Sequence, residues 1–148
     1  MITTPRFFWL ICASVALLGG CASQARQESQ LVRVDLTAVG QNIGNIGYVT
    51  LISRQETTDF SFFVSGTSGY LRPVRLYAFV YPGPCSNRGP KPLYGMNDNV
   101  VTRRVATGWS FNREAKVPLN TLRAAHYSVV VANGATEGNA EQFCGDIP

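Results

Sequence analysis

The residues best able to do chemistry in this chain are its four cysteines and its single histidine, His126. Cys21 ends the segment Leu18-Gly19-Gly20-Cys21, which follows an uncharged apolar run at residues 7–18 with Arg6 before it. A helix that spans a bilayer needs about 20 apolar residues, and this run is shorter. A short apolar run with a positive flank and small residues at its end is typical of a secretory signal. We therefore expect the chain to be exported.

The cysteine at the end of this segment adds a specific chemistry. The segment resembles the signal of bacterial lipoproteins, in which the thiol takes a diacylglycerol group and the chain is cut before the cysteine. The resemblance implies a signal peptide over residues 1–20, an acylated Cys21 and a lipid bilayer as partner. Ala22 is not the Asp that retains such proteins at the inner membrane. The implied location is therefore the bacterial outer membrane, facing the periplasm or the cell surface. The alternative is a secreted protein with an incidental cysteine.

Two cysteines, Cys85 and Cys144, remain once Cys12 is lost with the signal and Cys21 is acylated. An even pair in an oxidising compartment predicts one disulfide. It would close a loop of about 60 residues, which the chain-entropy model values at about 4 kcal/mol. Zinc needs four protein ligands, or three and a water, and this chain does not supply them. We expect no metal and no cofactor.

Short stretches rich in β-branched and aromatic residues dominate the chain after a polar segment at residues 22–30, which we interpret as a tether between Cys21 and the domain. The alternation of apolar and charged residues at 31–36 predicts a strand. Further strands are predicted at 46–52, 60–64, 74–81, 100–105, 109–111 and 127–132. Only residues 119–125 favour a helical turn or two. About seven or eight short strands predict an all-β fold, an antiparallel Greek-key β-sandwich over residues 31–148.

Two long loops interrupt this pattern. Residues 82–92 hold prolines at 82, 84, 90 and 92, which cannot donate to a sheet, and the predicted loop runs on to residue 99. Loops of this length are usually functional or held in place by a cross-link, and Cys85 lies within this one. The second predicted loop covers residues 133–142.

Four pieces of the chain occur in an informative order. They are Ile43-Gly44-Asn45-Ile46-Gly47-Tyr48-Val49-Thr50-Leu51, Leu71-Arg72-Pro73 before the strand that leads to Cys85, Val117-Pro118-Leu119 before Ser128-Val129-Val130-Val131, and the closing Cys144-Gly145-Asp146-Ile147. In this order they resemble the copper–zinc superoxide dismutase fold, especially its bacterial periplasmic branch. The resemblance covers about residues 40–148. It implies a Cys85–Cys144 bridge in the same sandwich.

The metal ligands of that family have no counterparts here. Its His-x-His pair maps to Ala78 and Val80, or to Phe79 and Tyr81, and its later copper histidine maps to about Ala132. Imidazoles hold both metals in that family, and one histidine cannot build either site. The resemblance therefore implies a relative that kept the scaffold and the disulfide but has neither metal nor dismutase activity.

The aromatic residues of the strand before Cys85 are the remaining candidates for a binding site. Tyr77, Phe79 and Tyr81 alternate along the strand and share one face. They either belong to the sandwich core or, with Tyr94, form an aromatic surface for a ligand or partner. Arginines at 72, 75, 103 and 104 either form an anion-binding patch or are simply exposed.

These features favour a non-enzymatic, membrane-anchored lipoprotein that acts as a structural or binding module of the cell envelope. Besides the bilayer, the expected partner is an envelope protein or a glycan. No nucleic-acid motif is present. One alternative is a small-molecule or glycan binder that uses the aromatic strand and the proline-rich loop. The other is a cryptic envelope enzyme, but His126 with Ser128 and Asp146 lacks the nucleophile elbow of a hydrolase.

Overall fold

The computed structural model describes residues 30–66, 74–134 and 141–148. The signal, Cys21, residues 22–29 and Leu71-Arg72-Pro73 lie outside these ranges. The described residues form one antiparallel sheet of nine strands, with no helix long and apolar enough to cross a membrane. The strands are β1 (Leu31–Ala38), β2 (Gly47–Arg54), β3 (Thr57–Val64), β4 (Tyr77–Pro82), β5 (Tyr94–Gly95), β6 (Arg103–Val105), β7 (Gly108–Ala115), β8 (Tyr127–Ala132) and β9 (Glu141–Ile147).

The sheet curls because β1 changes partner along its length. Its first six residues pair with β2, whereas Thr37 and Ala38 pair with β9. The strand order is β5-β4-β8-β9-β1-β2-β3-β7-β6. We call β1, β2, β3, β7 and β6 the first half-sheet, and β5, β4, β8 and β9 the second. The all-β, sandwich-like fold is confirmed, with nine strands where seven or eight were predicted.

The first half-sheet buries one face and exposes the other. In β1, Val32, Val34 and Leu36 point into the core, and Leu31 and Arg33 point to solvent. The same alternation follows in β2, β3 and β7, whose inward residues include Val49, Leu51, Phe60, Phe62, Trp109 and Phe111. This period of two is why the sequence pattern predicts β1 correctly.

The second half-sheet is buried on both faces, so it lacks that alternation. Ala78 and Val80 of β4 point into the main core, with Val129 and Val131 of β8. The opposite face holds a second apolar cluster, made of Phe79, Tyr81, Val130, Ala132 and Cys144. A strand covered on both sides gains from apolar residues at every position, as in the run Val129-Val130-Val131.

A glycine and a short helix are the two further local features of the fold. Gly145 lets β9 pass close to β1, because a Cβ there would lie 2.6 Å from the Asp35 carbonyl oxygen. The one α-helix of the described residues, Leu119–Arg123, follows Pro118 and buries Leu119 and Leu122 on one side. It ends two residues before the limit predicted from the sequence.

Candidate functional site

The disulfide predicted from the cysteine count is present between Cys85 and Cys144. Cys85 lies in the loop that follows β4, and Cys144 lies within β9, with 6.0 Å between their Cα atoms. The bond fastens the proline-rich loop to the outer face of the second half-sheet. Cys144 itself is part of the second apolar cluster.

Three of the four predicted aromatic binding residues share one face of β4. Phe79 and Tyr81 belong to the second cluster, and Tyr77 packs against it. Phe79 is 7% exposed and Tyr81 is 3% exposed, so little of either ring is accessible to a ligand. Their burial favours a packing role, although in a cluster separate from the main core.

Tyr94 does not extend this face. It pairs directly with Val80 across β4 and β5, and it packs against the main core. Residues paired across neighbouring strands lie on the same side of a sheet, so Tyr94 points away from Phe79 and Tyr81. The four tyrosine and phenylalanine positions therefore do not form one surface.

The proline-rich loop is held onto the aromatic face by several contacts besides the disulfide. The Arg88 guanidinium lies 5.0 Å from the centre of the Tyr81 ring, and it forms an ion pair with Glu141 of β9. The Cys85 amide donates to the Asp146 carboxylate at 2.6 Å. The Gly83 amide donates to the His126 carbonyl at 2.7 Å. These contacts make the loop a packed cover of the aromatic face.

The positions that the dismutase resemblance assigns to copper do not offer a suitable donor set. Phe79, Tyr81 and Ala132 fall together in the second apolar cluster, beside Cys144. The alternative positions, Ala78 and Val80, are fully buried in the main core. Among the described residues, no group of three His, Cys, Asp or Glu side chains is placed to hold a metal ion. Apolar side chains that pack against each other cannot replace imidazole ligands.

Arg113, which the sequence analysis did not single out, is the most unusual polar residue of the core. It lies on the inward face of β7 opposite Phe60 and is only 5% exposed. Its Nη2 donates to the Leu76 carbonyl at 2.7 Å, and its Nη1 donates to the Asn112 carbonyl at 2.7 Å and to the Val101 carbonyl at 3.4 Å. Its Nε has no acceptor among the described residues.

No carboxylate accompanies this buried guanidinium in the described part of the chain. Desolvation lowers the pKa of Arg113 from its ordinary value, because burial disfavours the charged form. The three carbonyl dipoles and the Phe111 ring, 4.7 Å from the guanidinium carbon, offset part of this cost. Arg113 is thus a buried positive charge with spare hydrogen-bonding capacity, since a guanidinium has five N–H donors.

A cleft runs beside β7 where β6 stops. β3 pairs with β7 as far as Ala115, but β6 pairs only with Gly108, Trp109 and Ser110. The rest of this edge borders two adjacent hollows of about 540 and about 280 Å³. Asn99, Asn112 and Arg113 line both of them. We call the two hollows together the β7 cleft.

The two ends of the β7 cleft differ in charge. The smaller hollow has two arginines, Arg103 and Arg113, and no carboxylate among its described lining residues. The larger hollow has three carboxylates and three basic residues, namely Asp59, Asp98, Glu114, Arg54, Arg113 and Lys116. Arg54 is paired with Asp59 at 2.8 Å.

The carboxylates of the larger hollow are crowded. Asp59 and Glu114 lie directly opposite each other on β3 and β7, an arrangement that like charges disfavour. Arg54 is already paired with Asp59, so Asp98 and Glu114 face two basic residues at this end, Lys116 and Arg113, and Arg113 is shared with the smaller hollow.

No protein-family model, no curated protein and no solved structure matches this chain. The candidate sites therefore depend on the chemistry and geometry of the chain's own residues.

Proposed function

We propose that this chain is a non-enzymatic lipoprotein of the bacterial outer membrane, anchored through acylated Cys21, whose sandwich domain is a structural or binding module of the cell envelope. The apolar cluster of Phe79, Tyr81 and Ala132 carries the non-enzymatic part of this proposal. It occupies one of the two alternative sets of positions that the dismutase resemblance assigns to copper ligands, and a disulfide-bonded loop covers it.

The connections between the strands support the resemblance to the dismutase fold. Along the chain, β3 is followed by β4, which lies in the other half-sheet. Within its own half-sheet, β3 lies between β2 and β7. β4 in turn pairs with β8. Pairing between strands that are not consecutive, in an antiparallel two-layer fold, is typical of Greek-key sandwiches. We infer a dismutase-like scaffold that now serves another purpose.

The anchoring part of the proposal has a direct test. The wild-type chain should partition into the detergent phase of a membrane extract, and Cys21→Ser should move to the aqueous phase. Cys12→Ser is the matched control, because it removes a thiol from the same signal but leaves the acylation position intact. An unmodified amino terminus at another cleavage site, seen by mass spectrometry, would rule out the anchor.

The alternative of a glycan or small-molecule site on the aromatic strand is less well supported. Phe79 and Tyr81 are buried beneath the loop that carries Cys85 and Arg88. A ligand would reach the rings only if this loop moved, and the disulfide opposes such movement. The β7 cleft is a better place for a binding module to hold a ligand, since exposed charged side chains, among them Asp98, Arg103 and Glu114, line it.

A further inference from the structure

The smaller hollow of the β7 cleft has arginines and no carboxylate among its described lining residues, whereas the larger hollow also has the carboxylates Asp98 and Glu114. This difference matches a ligand that carries both signs. We propose that the cleft binds a short peptide in its zwitterionic form. Its carboxylate lies in the smaller hollow, beside Arg103 and Arg113, and its ammonium group lies in the larger hollow, toward Asp98 and Glu114. This inference rests on the proposed function of a binding module and names the class of its ligand.

The smaller hollow has the groups that bind a carboxylate. Arg103 pairs across the strands with Ser110, so the guanidinium and the hydroxyl belong to the same outward face. Asn99 and Asn112 add amide groups to the lining. Charge-assisted hydrogen bonds from guanidinium to carboxylate are among the stronger polar contacts in proteins.

Arg113 adds a second positive charge at the wall of the smaller hollow. Its Nη1 donates to the carbonyls of Val101 and Asn112, and both residues line the smaller hollow. The guanidinium is therefore at the wall of the hollow, where a buried charge acts through a medium of low dielectric constant. A carboxylate would supply the anionic partner that the described residues do not give Arg113.

The carboxylates of the larger hollow favour a dipolar ligand over a simple anion. Asp98 and Glu114 would repel the second charge of a phosphate group but would attract an ammonium group. A metal ion is not favoured there, because the described carboxylates do not form a group of three that could hold one. The volume of about 540 Å³ falls in the range of small-ligand sites, about 300–1,000 Å³.

Calorimetric titration of the purified full-length chain in detergent tests the proposal with three probes: alanyl-alanine, acetate and inorganic phosphate. We expect alanyl-alanine to bind more tightly than the other two. Arg103→Gln should weaken both alanyl-alanine and acetate by about tenfold, the loss expected for one charge-assisted contact. Glu114→Gln should weaken alanyl-alanine and leave acetate unchanged or slightly stronger.

Arg104→Gln is the matched control. It makes the same change of charge one residue along β6, at an exposed position that does not line the cleft, and it should leave all three affinities unchanged. The proposal is wrong if alanyl-alanine does not bind, if Arg104→Gln acts like Arg103→Gln, or if Glu114→Gln leaves alanyl-alanine unaffected. Tighter binding of phosphate than of alanyl-alanine would also overturn it.

This test is separate from the test of the proposed function. Cys21→Ser changes the partition into detergent but leaves the cleft intact, so it should bind alanyl-alanine as the wild type does. A chain that is anchored but binds none of the probes contradicts only the ligand assignment. A chain that binds alanyl-alanine but carries no lipid contradicts only the anchor.

Discussion

Arg113 donates a hydrogen bond of 2.7 Å from its Nη2 to the carbonyl oxygen of Leu76, and this bond joins the two half-sheets at their open edge. Leu76 directly precedes β4 of the second half-sheet, whereas Arg113 belongs to β7 of the first. The same guanidinium reaches the carbonyl of Val101 in the loop between β5 and β6. One buried cation therefore fastens a strand, the entry to another strand and a loop.

Arg113→Met should lower the free energy of unfolding by about 2–4 kcal/mol, because the carbonyls of Leu76 and Asn112 would lose a buried donor. Arg113→Lys should lower it less, since an ammonium group can reach one of these carbonyls but not all of them. Urea unfolding followed by circular dichroism measures both changes.

The control for this prediction is Arg75→Met, at an exposed position beside Leu76. It should change the free energy of unfolding by no more than about 0.5 kcal/mol. If Arg113→Met unfolds at the same urea concentration as the wild type, the guanidinium does not tie the half-sheets together.

The disulfide should provide a large part of the stability of the domain. Cys85→Ser should lower the free energy of unfolding by about 2–5 kcal/mol. Cys144→Ser should cost more, because Cys144 is 4% exposed and Cys85 is half-buried, so the new hydroxyl at 144 would be buried. The double variant should be close to Cys144→Ser, because the bond is already lost in either single variant. Two titratable thiols in unreduced, freshly isolated protein would contradict the prediction.

The aromatic face of β4 can be assigned to packing or to binding by a single substitution. Phe79→Ala should lower the free energy of unfolding by about 3–5 kcal/mol, as for other buried phenylalanines. Leu93→Ala is the control, since Leu93 lies in the loop between β4 and β5 and is 54% exposed, and it should have a small effect. Thermal unfolding measures both. A ligand-binding surface predicts the reverse, namely that Phe79→Ala leaves stability unchanged.

The elements that the sequence predicts best are those with one buried face. Apolar and charged residues alternate through residues 31–36, and the strand there is confirmed as β1. Alternation fails for β9, because Cys144, Gly145 and Phe143 are all buried. The sequence pattern predicts residues 141 and 142 of this strand as the end of a loop. β5 has only two residues and leaves no periodic signal at all.

The candidate sites were harder to predict because they depend on contacts between distant parts of the chain. Side chains alternate along a strand, so Tyr77, Phe79 and Tyr81 share one face. The alternation does not show whether that face packs into the main core or lies under a loop. The pattern of Trp109, Phe111 and Arg113 puts the arginine on the inward side of a strand. The predicted strand stopped at residue 111, however, and arginine is rarely fully buried. The β7 cleft exists only because β6 ends before β7 does.

The native state should have no specific site for copper or zinc. The dismutase resemblance assigns copper to Ala132 with either Phe79 and Tyr81 or Ala78 and Val80, and both sets lie in apolar clusters and provide no imidazole. A metal that bound the native state specifically would raise the midpoint of thermal unfolding, because it would stabilise the folded form by mass action. We expect one equivalent of Cu²⁺ or Zn²⁺ to leave this midpoint unchanged and to give no dismutation above that of the free metal. His126→Gln removes the only histidine, at an exposed position, and serves as the control for weak surface binding. A rise in the midpoint that saturates at one equivalent, persists in His126→Gln and comes with dismutase turnover would show that a metal site was rebuilt from other residues.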